Sequence, residues 1–353
     1  MHPERVQFLK NLLSAPGPSS EEALPARVWR EEAKSFADAV WADVRGNSFA
    51  ELKGSGPRVL LAGHIDEIGF MVSSIDGEGY LYFSPIGGWD PQVLVGQRVI
   101  LLGTEGEVIG VIGKKPIHLM KGDERERASR IDGMWIDIGA NSREEAEERV
   151  SIGTVGVIDA PVHEFPHGRI VSRALDNRIG AFTVLEALRL LSQDRPSASV
   201  AAVATTQEEI GNFSGALTAA FSYEADVAIA VDVTFATDHP ESDKRQYGDV
   251  KLGGGPVLSR GSANSPLAYQ RLVDLARKHA IPFSVQITPR YTGTDADGIY
   301  AARKGVATAV ISIPNRYMHS PNEMIDLADV RYAAQLIAEF VRSIQSVSEF
   351  IPE

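Results

Sequence analysis

The stretch Val203–Gly211, VATTQEEIG, closes a run of small and β-branched residues with two adjacent glutamates. Such a run reads as a buried strand. An ionised carboxylate taken out of water without a partner is costly, and two side by side also repel each other. The pair must be neutralised or put to use. Other chemistry-bearing residues stand where further apolar runs stop: His64 and Asp66 in LLAGHID, Asp232 in AIAVDVT, and His319 in VISIPNRYMHSP, with Asp176 in SRALDNR just before a helical pattern. The chain has eight histidines, and two of them fall at such points. Reactive groups of open α/β sheets collect beyond the carboxyl ends of strands. Each residue alone has a plainer reading, such as an aspartate capping the next helix. Together, two histidines and several carboxylates with no thiolate form a ligand inventory for one or two zinc, cobalt or manganese ions.

Adjacent residues on an extended segment point to opposite sides. One of Glu208 and Glu209 can then ligate a metal while its neighbour reaches a water, the division of labour that hydrolysis requires. The chemistry leaves open which glutamate takes which role. His64 and Asp66 are two apart and share a face, so Asp66 can accept the second imidazole N–H and fix the ring.

Three textures place these residues on elements. An amino-terminal helical stretch leads to the strand at Arg58–His64. From about Ser74 to Pro161, short valine- and isoleucine-rich runs broken by glycine, such as RVILLGTEGEVIGVIG, predict a small β-barrel or sandwich. Within it, SREEAEERV carries Ser142 and Glu145 at capping-box spacing. From Leu175 onward near-continuous apolar strands (SVAAVATT, DVAIAVDV, FSVQIT, VATAVISI) alternate with helical patterns. NRIGAFTVLEALRLL sets Ile179, Phe182, Leu185 and Leu188 on one helical face, and SPLAYQRLVDLARKHA, DADGIYAARKG and LADVRYAAQLIAEFVRSI also read as helices. This predicts an α/β fold with a mostly parallel-centred sheet flanked by helices, interrupted by an inserted small β-barrel. The expected domains are 1–73 plus 162–353, carrying the site, and 74–161, the insertion.

Composition narrows the function. With 47 acidic against 35 basic residues, a net charge of −12 opposes nucleic-acid binding. No apolar stretch approaches the roughly 20 residues of a membrane span. Zero cysteines exclude disulfides and a cysteine nucleophile. MHPERVQFLKNLL has charges inside its apolar run and reads as an amphipathic helix rather than a signal peptide, so a cytoplasmic protein is expected.

The motifs GHIDEIG, ALDNR, QEEIG, DVTFATDHP, GTDA and RYMHSP occur together and in order, and over nearly its full length the chain resembles the tetrahedral (TET) aminopeptidases of metallopeptidase family 42. The resemblance implies two divalent metal ions per subunit, zinc or cobalt, with manganese as the alternative. His64 and Asp232 would bind one, Glu209 and His319 the other, and Asp176 both. Glu208 would be the general base and Asp66 the orienter of His64. It also implies peptide substrates and dimers that join into a dodecamer, with the inserted barrel contributing to assembly. One departure is the turn GNFSGA, Gly211–Ala216, one residue longer than the family's usual turn, which bears on the substrate pocket.

Rival motifs and functions are weaker. HEFPH, His163–His167, fits the letters of a zinc-binding helix, but Pro166 lies inside it and RIV after it reads as a strand. LGGGP, Leu252–Pro256, lacks the residues of a phosphate loop and reads as a glycine turn close to the substrate. The mixed-sign KGDERERASR reads as a solvated loop. A carboxypeptidase or deacylase would need a cation for the substrate carboxylate, from Arg290 or Arg316. An endoglucanase-type glycosidase would use Glu208 with a second carboxylate and leave the histidines without a purpose. The strand-end carboxylates Asp66, Asp176, Glu208, Glu209 and Asp232, joined by Asp295 of GTDA, favour a substrate's amine end.

Overall fold

Alternation along the central strands divides the core in two. Val59, Leu61, Val200, Ala202, Ile229 and Val231 face the helices Leu175–Gln193 and Leu327–Arg342. Leu60, Ala62, Ala201, Val203 and Ala228 face the helix Ser214–Tyr223 on the other side. The computed structural model describes residues 1–352. Among these, eight strands form one sheet in the order Ala39–Ala42, Ser48–Leu52, Ser199–Thr205, Arg58–His64, Val227–Phe235, Ala307–Asn315, Val257–Gly261 and Ser284–Thr288. The four central strands, Ser199–Thr205 to Ala307–Asn315, are parallel. Antiparallel pairing at Ser48–Leu52 and at Val257–Gly261 adds the two margins. The α/β fold with a parallel-centred sheet is thus present.

The helix Leu175–Gln193 buries Ile179, Phe182, Leu185 and Leu188 completely, as its periodicity predicts. Removing one such side chain from water contributes about 1.5–3 kcal/mol. The helix meets the strand Arg58–His64 at two glycines: a methyl placed at Gly63 would lie 2.5 Å from the carbonyl carbon of Gly180. The helix Pro266–Lys278 is capped by Ser265, and Leu327–Arg342 by Asp326, each side chain accepting a first-turn N–H. The expected helix in DADGIYAARKG is one turn, Ala296–Ile299. Asp297 turns back to accept the N–H groups of Thr292 and Gly293 at 3.0 and 2.8 Å, shaping a loop instead.

The strands Gly69–Ile75, Leu81–Ile86, Met134–Asp137, Gly106–Lys114, Arg98–Gly103 and Val155–Ile158 close into a barrel around Phe70, Leu81, Val99, Ile112 and Ile136. Its first strand starts at Gly69, ahead of the expected Ser74, because FMV belongs to the barrel wall and not to the sheet. In the short helix Arg143–Glu147, Ser142 caps as expected. The Glu145 carboxylate instead accepts the backbone and side-chain N–H groups of Asn141 at 2.8 and 3.0 Å. A small antiparallel sheet joins His163–Phe165, Arg169–Ser172 and Glu323–Asp326. HEFPH is therefore strand and turn, with both histidines exposed. Among the described residues no helix is long and apolar enough to cross a membrane.

Candidate active site

His64 ends its strand, and Asp66 follows two residues on. The His64 Nδ1 lies 3.3 Å from both an oxygen of the Asp66 carboxylate and the Asp66 carbonyl, which leaves Nε2 facing the cleft. The same Asp66 carboxylate accepts the Ser19 hydroxyl at 2.7 Å and the backbone N–H groups of Glu208 and Glu209, each at 3.2 Å. Glu208 and Glu209 do not continue the strand as expected. Ser199–Thr205 stops first, Gln207 takes a positive φ of 61°, and the glutamates sit in a turn. Their side chains still diverge. Glu208 approaches His64 Nε2 at 3.6 Å, with Asp232 at 3.9 Å from the same nitrogen. Glu209 faces His319 Nε2 at 3.4 Å. Asp176 lies between, Oδ1 3.3 Å from His64 Nε2 and Oδ2 3.3 Å from His319 Nε2.

The sequence reading missed two groups that hold this arrangement. Glu323, fully buried, accepts the backbone N–H of Asp176 on one oxygen and that of His319 on the other, both at 2.9 Å. Its signal was a glutamate opening an otherwise buried strand, four residues after His319. The Gly88 carbonyl, from a loop of the barrel, sits 2.7 Å from His319 Nδ1 and so aims Nε2 at Asp176 and Glu209. That contact is main-chain and left no side-chain signal.

Electrostatics show an excess of negative charge. Burial pushes the Glu208, Glu209 and Asp232 carboxyls well above the usual range, with Asp176 beside them adding to the shift. Burial pulls His64 down, but Glu208, Asp176 and Asp66 outweigh it and raise its pKa. Burial opposes ionisation of Asp176 too, yet His319 and His64 hold it below its ordinary value. Two imidazoles cannot neutralise Asp66, Asp176, Glu208, Glu209 and Asp232. Among the described residues, Glu209 Oε1 is buried with no hydrogen-bond partner. Ligand bonds of about 2.1 Å in a tetrahedron put neighbouring donors about 3.4 Å apart. The 3.3–3.9 Å separations around His64 and His319 match that spacing. The donor set therefore fits divalent cations. Donor grouping alone sets Glu208 with His64 and Asp232, and Glu209 with His64 and Asp176.

These residues border a cleft of about 370 Å³, whose other walls are Phe213, Phe235, Val310, Met318 and hydroxyl side chains. Asp295 lies beneath it rather than on it, buried with its carboxylate accepting the Thr205 hydroxyl. Burial raises its pKa to about 6. LGGGP is not part of the cleft. Its Gly253 and Gly255 N–H groups donate to Asp329 at 2.8 and 2.7 Å, tying the turn to the last helix. Arg316 is paired with Asp238 at 2.7 Å, and no lysine or arginine is among the described residues that line the cleft.

The sequence pattern of the M42 glutamyl aminopeptidase family matches residues 46–336. The lysyl aminopeptidase of Pyrococcus furiosus is 39% identical over 98% of this chain and 99% of its own. A TET aminopeptidase from a marine sediment archaeon of the Thaumarchaeota shares the fold with a TM-score of 0.94, at 36% identity over 99% of both chains. The TET1 peptidase of Pyrococcus horikoshii, which can assemble into a tetrahedron or a large octahedral shell, superposes with a TM-score of 0.85 at 31% identity, over 96% of this chain and 100% of that one. Family match and full-length identity agree: the chain belongs to the M42 glutamyl aminopeptidase family.

Proposed function

We propose that this protein is a cytoplasmic two-metal aminopeptidase that removes residues one at a time from the free amino termini of short peptides. The observation that carries the reading is Asp176, whose two oxygens each lie 3.3 Å from a different imidazole. A carboxylate so placed suits a pair of cations, zinc or cobalt first and manganese next. His64 and Asp232 would hold one, Glu209 and His319 the other, and Asp176 both. Ions bound there would supply Lewis acidity, lowering the pKa of water and stabilising negative charge on the scissile carbonyl oxygen.

Glu208 is the general base of this reading. It takes one proton from the attacking water as the O–C bond forms and gives it to the leaving amine as the C–N bond breaks. Support comes from the divergence of the glutamates: Glu209 faces His319, whereas Glu208 stands on the His64 side of the cleft. Asp66 keeps the His64 ring and the glutamate turn in register through one carboxylate. A carboxypeptidase would need an arginine in the cleft, and Arg316 is engaged by Asp238. A glycosidase has no use for either histidine.

Assembly belongs to the same proposal. The sheet-bearing part on either side of the barrel, which starts at Gly69, is the catalytic part, and together with it the barrel helps dimers join into a hollow dodecamer. The tetrahedral shell of the P. horikoshii relative supports this. Enclosure would restrict substrates to short or unfolded peptides. The decisive experiment is metal analysis with activity. Thorough chelation should abolish release of first residues, and zinc, cobalt or manganese should restore it at two equivalents per chain. Full activity after demetallation would overturn the reading.

A further inference from the structure

The cleft has two unlike halves. One is the carboxylate–histidine cluster; the other lies over the outer strands Val257–Gly261 and Ser284–Thr288. In that parallel pair, Ser259 stands opposite Gln286 and Gly261 opposite Thr288. Residues two apart on a strand share a face, so these four form one wall, and Ser259, Gln286 and Thr288 line the cleft. Gly261 makes room: a methyl there would lie 1.9 Å from Thr288 Oγ1.

The polar groups of this wall are uncharged and partly uncommitted. The Thr234 hydroxyl donates to Gln286 Oε1 at 2.6 Å, which fixes the amide and leaves its two N–H donors free to meet a ligand. Thr288 Oγ1 is buried and has no hydrogen-bond partner among the described residues. Buried hydroxyls rarely stay unpaired, and this one lies on the wall of the cleft. Asp232 pairs in register with Ser312, and Ser312 with Val257. Thr234 lies two residues beyond Asp232 on the same strand, so its bond to Gln286 brings the amide of the wall within a side chain's reach of that strand. A long side chain reaches it from a scissile carbonyl held near Asp232.

We propose that this wall receives the side chain of the substrate's first residue and selects uncharged side chains, amide-ended ones above all, over charged ones. The inference rests on the aminopeptidase reading, in which the scissile carbonyl is held at the carboxylate–histidine cluster and the first side chain extends from it along the cleft. An ammonium or carboxylate that loses its water there meets no countercharge on the wall itself, and that cost is not offset by neutral hydrogen bonds. An amide tip is matched on both counts: Gln286 donates to its oxygen, and Thr288 accepts from its nitrogen.

Isosteric pairs isolate the charge. Tripeptides X-Ala-Ala with glutamine against glutamate, and methionine against lysine, at X are compared by kcat/KM on the metal-loaded protein. The neutral member of each pair should be faster by about ten-fold or more. A charged member that matches or exceeds its neutral partner overturns the inference alone. No release from any of the four overturns the aminopeptidase reading and the inference with it. Gln286→Glu keeps the acceptor for Thr234 and adds a charge, so the lysine-to-methionine ratio should rise about ten-fold, chiefly through KM. A folded variant with an unchanged ratio removes the wall from substrate recognition. If that variant does not fold, Ser259→Asp carries the same test.

Discussion

Gly63 lies against the backbone of Gly180, so close that a methyl on Gly63 would come within 2.5 Å of the Gly180 carbonyl carbon and 2.6 Å of the Ala181 nitrogen. Gly63 immediately precedes His64, and Gly180 lies four residues after Asp176. In this arrangement Asp176 Oδ1 stands 3.3 Å from His64 Nε2. The opposite side of the helix is packed into the main core, so it has no room to retreat.

Gly63→Ala should therefore strain fold and site together. Overpacking of this kind costs about 1–3 kcal/mol. The expected result is a lower urea midpoint and a reduced metal content after dialysis. Wild-type values for both would show that the contact does not set the site.

The two glutamates should separate cleanly. Glu208→Gln keeps size and leaves every proposed ligand in place, so metal content should persist while turnover falls about a hundred-fold or more. Glu209→Gln should instead weaken binding of one ion of the two. The reverse pattern, read by metal analysis and steady-state rates, would mean that the neighbours exchange roles.

Glu323 clamps two backbone N–H groups with one carboxylate. Glu323→Gln keeps a single acceptor oxygen and turns an amide N–H₂ toward the other donor. A buried N–H left unpaired costs about 1–3 kcal/mol. Because Asp176 and His319 both depend on the clamp, and Asp176 is proposed to hold both ions, titration of the apo protein with zinc should show both steps weakened, the His319 side more. Two unaltered binding steps would remove Glu323 from the support of the site.

Much of this was legible because metal chemistry needs particular residue types, and the fold sets them at strand ends. His64, Asp176, Glu208, Glu209, Asp232 and His319 all converge on one cleft. The division of the glutamates was inferred from extended geometry, whereas the turn at Gln207 produces it. Glu323 was hidden because a lone buried glutamate resembles any other acidic residue until its two N–H partners are seen. Gly88 acts through its carbonyl, and main-chain groups carry no letter. The marginal strands Ser48–Leu52 and Val257–Gly261 are short and mixed in polarity, so tertiary pairing rather than pattern makes them strands.

The proposed assembly has a candidate surface on the barrel. On the barrel strand Gly106–Lys114, Ile109 and Val111 point outward, 49% and 44% exposed. Light scattering of the purified protein should give the mass of twelve chains. Ile109→Asp with Val111→Asp should shift it to smaller species while the barrel core, which these residues do not enter, keeps its stability. A wild-type protein that is monomeric at working concentration would refute the dodecamer.

End specificity separates an aminopeptidase from its nearest rivals. The cleft carries Asp176, Glu208, Glu209 and Asp232 on its surface with Asp66 behind them, and no lysine or arginine is among its described lining residues. The two proposed dications would offset four of those five negative charges, so the residual field would suit a substrate's amine end and oppose its carboxylate end. A free peptide should therefore be shortened stepwise from its first residue. Acetylation of the amino terminus removes the cation and adds bulk at the closed side, so that peptide should resist. Amidation of the carboxyl terminus removes a charge that lies outside the cleft, and it should change the rate little. Mass spectrometry of the three digests distinguishes the cases. If the acetylated peptide is cut as readily as the free one, or if residues leave from the carboxyl end, the site does not read the amine and the proposed function falls.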